Sequence, residues 1–124
     1  LWSNAYLSTF HVLDEWRMMK QLLDDGHFPH HSESTPKNAI QPVWWSTSWI
    51  PITSDDCGNL ECLDMAPGTA GSPGQLIDFD HETVHRCVIA SSFRDAMTAY
   101  VQDVLAGEYV YSDDYGRLMP LDEM

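Results

Sequence analysis

His81-Glu82-Thr83-Val84-His85 matches the H-E-x-x-H pattern in which two imidazoles hold zinc and the glutamate activates its water. That chemistry needs a helix, because only i, i+4 spacing on one helical face aims both rings at one Zn²⁺. The flanks, LIDFD and RCVIA, read as strands, so His81 to Val84 is expected to be a hairpin turn and no metal site is assigned. His27, His30 and His31 cluster in a proline-containing stretch with no fixed geometry to offer a metal. The carboxylate pairs Asp24-Asp25, Asp55-Asp56, Asp78 with Asp80, and Asp113-Asp114 could act as acid and base only if one were buried in a cleft with a raised pKa. Most of them sit in turn sequences or at helix ends instead. No G-x-S-x-G elbow occurs, and PGTAGSPG lacks the Gly-Lys-Ser/Thr ending that holds nucleotide phosphates. The three cysteines, Cys57, Cys62 and Cys87, are odd in number, lack metal-ligand spacing and have one basic neighbour, Arg86, so reduced thiols are expected. No catalytic residue, metal or cofactor is assigned, and the chain is expected not to be an enzyme.

What positions these residues is first bounded by the totals. A chain of 124 residues, 44% hydrophobic with five Trp and five Tyr, suits one domain over residues 1–124. Nineteen acids against six Lys and Arg give a net charge of −13, which repels nucleic-acid phosphates and anionic lipid and attracts basic proteins. Direct nucleic-acid binding and membrane association are therefore not expected. No stretch approaches the ~20 apolar residues of a membrane span, and a secretory signature is absent, so a cytoplasmic location is expected. The first residue is Leu1, and Leu1 to Leu7 already reads as structured sequence, as in a piece of a longer polypeptide.

Along the chain, Val12, Leu13, Trp16, Met19 and Leu23 follow helical spacing, with Ser8 or Thr9 as N-cap and Gly26 as the stop. Residues 27–41 read as loop. Val43 to Ile52 reads as strands, the second restricted by Pro51 to an edge, an end or a bulge, followed by a turn over Ser54 to Asn59 and a strand over Leu60 to Met65. After the Pro67 to Gly74 connection, Gln75 to Asp80 and His85 to Ala90 form a second strand pair. Ser92 caps a helix bearing Phe93, Met97, Tyr100, Val101, Val104 and Leu105, with Asp95 as the capping-box-like acid and Gly107 beyond its end. Residues 108–124 fit either a small hairpin or a tail. Strands in the middle and helices at the ends predict α+β: a mostly antiparallel twisted sheet with helices packed on one face.

The central block from Pro42 to Phe93 resembles the SUKH superfamily, which includes fungal cell-wall-synthesis regulators and bacterial immunity proteins. The matching residues are Trp45, Trp49-Ile50-Pro51-Ile52, Gly58, Cys62-Leu63-Asp64, Pro67, Gly71, Gly74-Gln75 and Ala90-Ser91-Ser92-Phe93. Of these, Trp45, Trp49, Pro51, Gly58, Asp64, Pro67, Gly71, Gly74, Gln75 and Phe93 are expected to build scaffold. The further N-terminal helices usual in the family do not appear, so exposed sheet could be covered by a second copy. The resemblance, with the charge, implies a binding module, first of all an immunity protein whose outward-turned acids, Asp55, Asp56, Asp78, Asp80, Glu82, Asp113 and Asp114, imitate phosphate toward a basic toxin domain. The alternative it implies is a regulatory scaffold for cellular proteins; a hydrolase built on His81, Glu82 and His85 is a remote third.

Overall fold

The computed structural model describes residues 5–121, leaving the expected structure at Leu1 to Asn4 and the last residues of the tail outside it. Helix α1 spans Thr9–Asp24: the Ser8 side chain accepts from the His11 amide at its start, and Gly26, at φ +76°, takes the left-handed turn beyond its end. Six strands follow the order β1-β3-β4-β5-β6-β2. They are β1 (Ala5–Tyr6), β2 (Glu33–Thr35), β3 (Trp49–Ser54), β4 (Leu60–Asp64), β5 (Gln75–Phe79) and β6 (His85–Ala90). Helix α2 (Phe93–Leu105) is capped by Ser92 and leads into a hairpin of β7 (Tyr109–Ser112) and β8 (Arg117–Pro120).

The α+β class with a mostly antiparallel sheet stands. The helices, expected together on one face, divide between the two. Alternate side chains of β4 point to opposite faces. Leu60 and Cys62 join Ile77 and Phe79 in a core with Met19, and Trp16 and Leu22 of α1 pack against it. Glu61 points the other way, where the Thr53 hydroxyl donates to its carboxylate at 2.6 Å. Tyr6 lies on that side and reaches Met97 of α2 through its hydroxyl.

Elsewhere the structure departs from the sequence expectations in particular places. Within the expected 27–41 loop, Glu33–Thr35 forms a strand parallel to β6, a short polar edge strand without an apolar pattern to announce it. The expected strand from Val43 begins only at Trp49. Trp44 and Trp45 are both buried from the irregular segment that precedes it. The β3–β4 register shifts between Pro51 and Thr53, the bulge at which a residue without an N–H is tolerated. In α2 only Ala96 of the described residues is fully buried; Phe93, Val101 and Leu105 are exposed, so Phe93 marks the helix start and is not a core residue.

Trp45 and Trp49 are buried at the centre of the core. Asp64 and Gln75, also buried, organise the 66–74 loop: Asp64 accepts from the Ala66 amide, and the Gln75 side-chain amide donates to Asp64 Oδ2 at 2.9 Å and to the Ala39 carbonyl at 2.8 Å while accepting from the Ser72 amide. A Cβ at Gly71 would collide with that Ala39 carbonyl oxygen, so this close approach requires glycine. Half-buried Pro67 opens the loop, and Gly74 closes it with its amide on the Asp64 carbonyl, at φ +81°.

Candidate binding groove

Arg86 sets the geometry of the site. Its guanidinium lies 4.7 Å from the Trp44 ring centroid and 4.4 Å from that of Phe79. It donates to the carbonyls of Trp44, Asp80, Thr83 and His85. Burial pushes its pKa down, while nearby Asp78 and Asp80 push it back up. One buried cation thus ties the 43–45 loop to the turn between β5 and β6.

That turn is where H-E-x-x-H falls, and the helix the zinc pattern requires is not formed. His81 Nδ1–H donates to Asn59 Oδ1 at 2.8 Å, while His85 Nε2 pairs with the Thr35 hydroxyl at 2.8 Å. The two rings are engaged by different elements. Among the described residues no His, Cys, Asp and Glu side chains gather in a metal-holding group. The thiols of Cys62 and Cys87 are both pushed up by burial, so neither is an activated nucleophile, and the three cysteines are unpaired.

Asn59 also binds the neighbouring turn. Its side-chain amide donates to Asp55 Oδ2, and Asp55 Oδ1 accepts from the amides of Cys57 and Asn59. Partial burial raises the Asp55 pKa, but these donors outweigh it and hold the carboxyl below its usual value. Gly58, at φ +96°, lies so close to the His81 ring that a Cβ would press on it.

Against these two turns opens a cavity of 520 Å³. One wall is the flank of α1 from Glu15 through Met18 and Met19 to Leu22; Phe28 and Pro29 close the far side, and Trp44, Leu60 and Phe79 form the floor. Met18 is half exposed at the mouth. Glu15, His27 and His81 stand on the rim. Burial raises the Glu15 pKa, and the charge of Asp56 raises it further, which places Asp56 beside the same rim. A larger cleft of 590 Å³ lies between the 31–42 and 68–69 segments, where Ser32, Glu33, Ser34, Lys37, Asn38 and Gln41 place polar and charged groups of both signs among its apolar surface.

The seven acids singled out as a binding surface therefore separate. Asp55, Asp56, Asp80 and Glu82 occupy the two turns at the groove end, with the Asp80 carboxylate capping the Glu82 amide and Glu82 lying 3.6 Å from His81. Asp78 is turned into the sheet, where it accepts from the Cys87 amide at 2.6 Å, so it is not an outward acid. Asp113 and Asp114 sit in the exposed β7–β8 turn, on the α2 side. Glu15 went unnoticed in the sequence because it is one acid among many on a helix; its i+3 and i+4 neighbours Met18 and Met19 are the signal that puts it over an apolar wall.

A mixed sheet with a tryptophan-centred core, loops tied by Asp64, Gln75 and Arg86, and an open apolar groove without assembled catalytic groups defines a SUKH-type domain. The model of the SMI1 / KNR4 family (SUKH-1) matches residues 2–98, and the chain belongs to that family. It is 39% identical over 85 residues to KNR4/SMI1 homolog 2 of Debaryomyces hansenii, covering 68% of this chain and 14% of the relative. It is 35% identical over 82 residues to the cell wall assembly regulator SMI1 of Saccharomyces cerevisiae, covering 66% and 16%. The glucan synthesis regulatory protein of Neurospora crassa is 31% identical over 86 residues, covering 69% and 16%. This chain thus spans about a sixth of the length of these relatives or less. The Saccharomyces cerevisiae and Neurospora crassa relatives carry the names of regulators. Among the described residues no helix is long and apolar enough to cross a membrane.

Proposed function

We propose that this chain is a non-enzymatic, protein-binding domain of a regulator of cell-wall synthesis. The observation that carries this reading is the family match over residues 2–98 together with fungal relatives named for cell wall assembly and glucan synthesis. The groove agrees with it: concave apolar surface with a few polar groups on its rim suits recognition of a partner. Neutralisation of a bacterial toxin has the charge in its favour, but the relatives are fungal regulators, so regulation of cellular proteins takes its place as the leading reading. Deleting the segment that encodes this chain in its source organism tests the proposal. Reduced wall glucan and hypersensitivity to a wall-binding dye are expected; unchanged wall composition and dye tolerance overturn it.

A further inference from the structure

Resting on the reading of the chain as a protein-binding domain, we infer that the α1 groove takes a short peptide segment of a partner, with an apolar anchor seated between Met18 and Phe79 and lysines or arginines on its flanks. Three observations converge on this occupant. First, the groove is apolar along its length and its 520 Å³ lies within the ~300–1,000 Å³ typical of concave binding sites. Its α1 wall, from Glu15 to Leu22, is about 10 Å long at 1.5 Å per residue, enough for two turns of helix or three residues of strand. Second, the surface charge at its end is acidic, the nearby Arg86 being buried beneath the floor. Glu15 stands on the rim beside Asp56, and Asp55, Asp80 and Glu82 belong to the adjoining turns. Among the described lining residues there is no lysine or arginine. The chain as a whole, at −13, repels phosphates and anionic lipid, which leaves a cationic protein segment as the occupant that gains both apolar burial and steering. Third, Glu15 is partly buried on the rim, and burial first, then the charge of Asp56, raise its pKa, an effect that a bound ammonium or guanidinium would oppose.

The test uses the 124-residue chain and two fluorescein-labelled synthetic peptides. Both carry a Leu-Leu-Phe anchor; one is flanked by three lysines on each side, the other by three glutamates. Fluorescence anisotropy at low and at high salt reads affinity. The lysine-flanked peptide is expected to bind in a salt-weakened manner and the glutamate-flanked one not to bind. Met18→Glu, a change at a half-exposed site, is expected to weaken binding at least tenfold with an unchanged circular dichroism spectrum. The double variant Glu15→Gln, Asp56→Asn is expected to keep the fold and lose most of the salt dependence. Equal binding of the two peptides, absence of binding by the lysine-flanked one, or indifference to Met18→Glu overturns the inference. So does a chain that dimerises through this face, shown by sedimentation and abolished by Met18→Glu, because the occupant is then a second copy. None of these results alters the wall phenotype of the deletion, so the two proposals fail separately.

Discussion

The two faces of the sheet are built by different means. On the α1 side, Trp45, Trp49, Ile40, Met19 and Phe79 form one continuous buried cluster, and a buried cation, Arg86, is spent on four main-chain carbonyls and two aromatic rings. The α2 side buries Leu76, Ala96 and Met119 but leaves Phe93, Val101 and Leu105 of the helix exposed, and its buried charge, Glu61, accepts from a side-chain hydroxyl, that of Thr53. Side chains can readjust around a substitution; a set of converging carbonyls held by backbone cannot. The family match ends at residue 98, inside α2, so the tightly built face is also the one that lies wholly within it.

The largest expected effect tests that contrast directly. Arg86→Met should destabilise the domain by about 3–5 kcal/mol, because it strips four main-chain carbonyls, that of Trp44 fully buried, of their donor and leaves space between Trp44 and Phe79. Urea unfolding followed by tryptophan fluorescence measures it. A cost near 1 kcal/mol would mean the loops are held by their apolar contacts alone.

Next comes Asp55→Ala, which removes the acceptor of two turn amides and the Asn59 side chain, for about 1–2 kcal/mol at neutral pH. The sign of its pH dependence follows from the lowered pKa. The folded value lies below the unfolded one, so the contribution of Asp55 is complete above the unfolded value and is lost as pH falls through the folded one. The gap between wild type and variant should accordingly close in acid, and a gap that is flat with pH would place the loss in packing instead of in the carboxylate.

On the other face, Glu61→Gln should cost about 1 kcal/mol, less than either change above, since glutamine still accepts from the Thr53 hydroxyl in the same volume. The neighbouring phenol offers a second readout. Burial first, then the charge of Glu61, holds the Tyr6 pKa above its usual value, so the variant should ionise Tyr6 at lower pH in an ultraviolet titration. A loss as large as that of Arg86→Met would make the two faces equally rigid and dissolve the comparison.

How much of this was legible in the sequence follows the same division. The helices announced themselves through period and caps, and the β3–β4 and β5–β6 pairs through alternation and turn residues; all are local signals. The polar strand β2 did not, because Glu33, Ser34 and Thr35 earn their conformation from β6, some fifty residues away. For the site, Asp55, Asp56, Asp80 and Glu82 could be chosen as turn acids, but the groove they flank joins α1 to loop and sheet residues far apart in the chain. Asp78 was misread for a related reason: beside Asp80 it looks like one more exposed acid, whereas its position on β5 turns it toward the Cys87 amide.

The smallest expected effect carries the comparison to its edge. Leu105 ends α2 and is 82% exposed, so Leu105→Ala should change stability by less than about 0.5 kcal/mol. If the α2 side is free in solution, the urea midpoint of wild type and variant should coincide and stay fixed over a hundredfold range of protein concentration. A variant that is clearly less stable, with a wild-type midpoint that rises with concentration, would mean that another copy covers the helix. In that case the looseness of the second face belongs to the single chain alone, and the exposed Phe93, Val101 and Leu105 are the surface through which the assembled protein completes it.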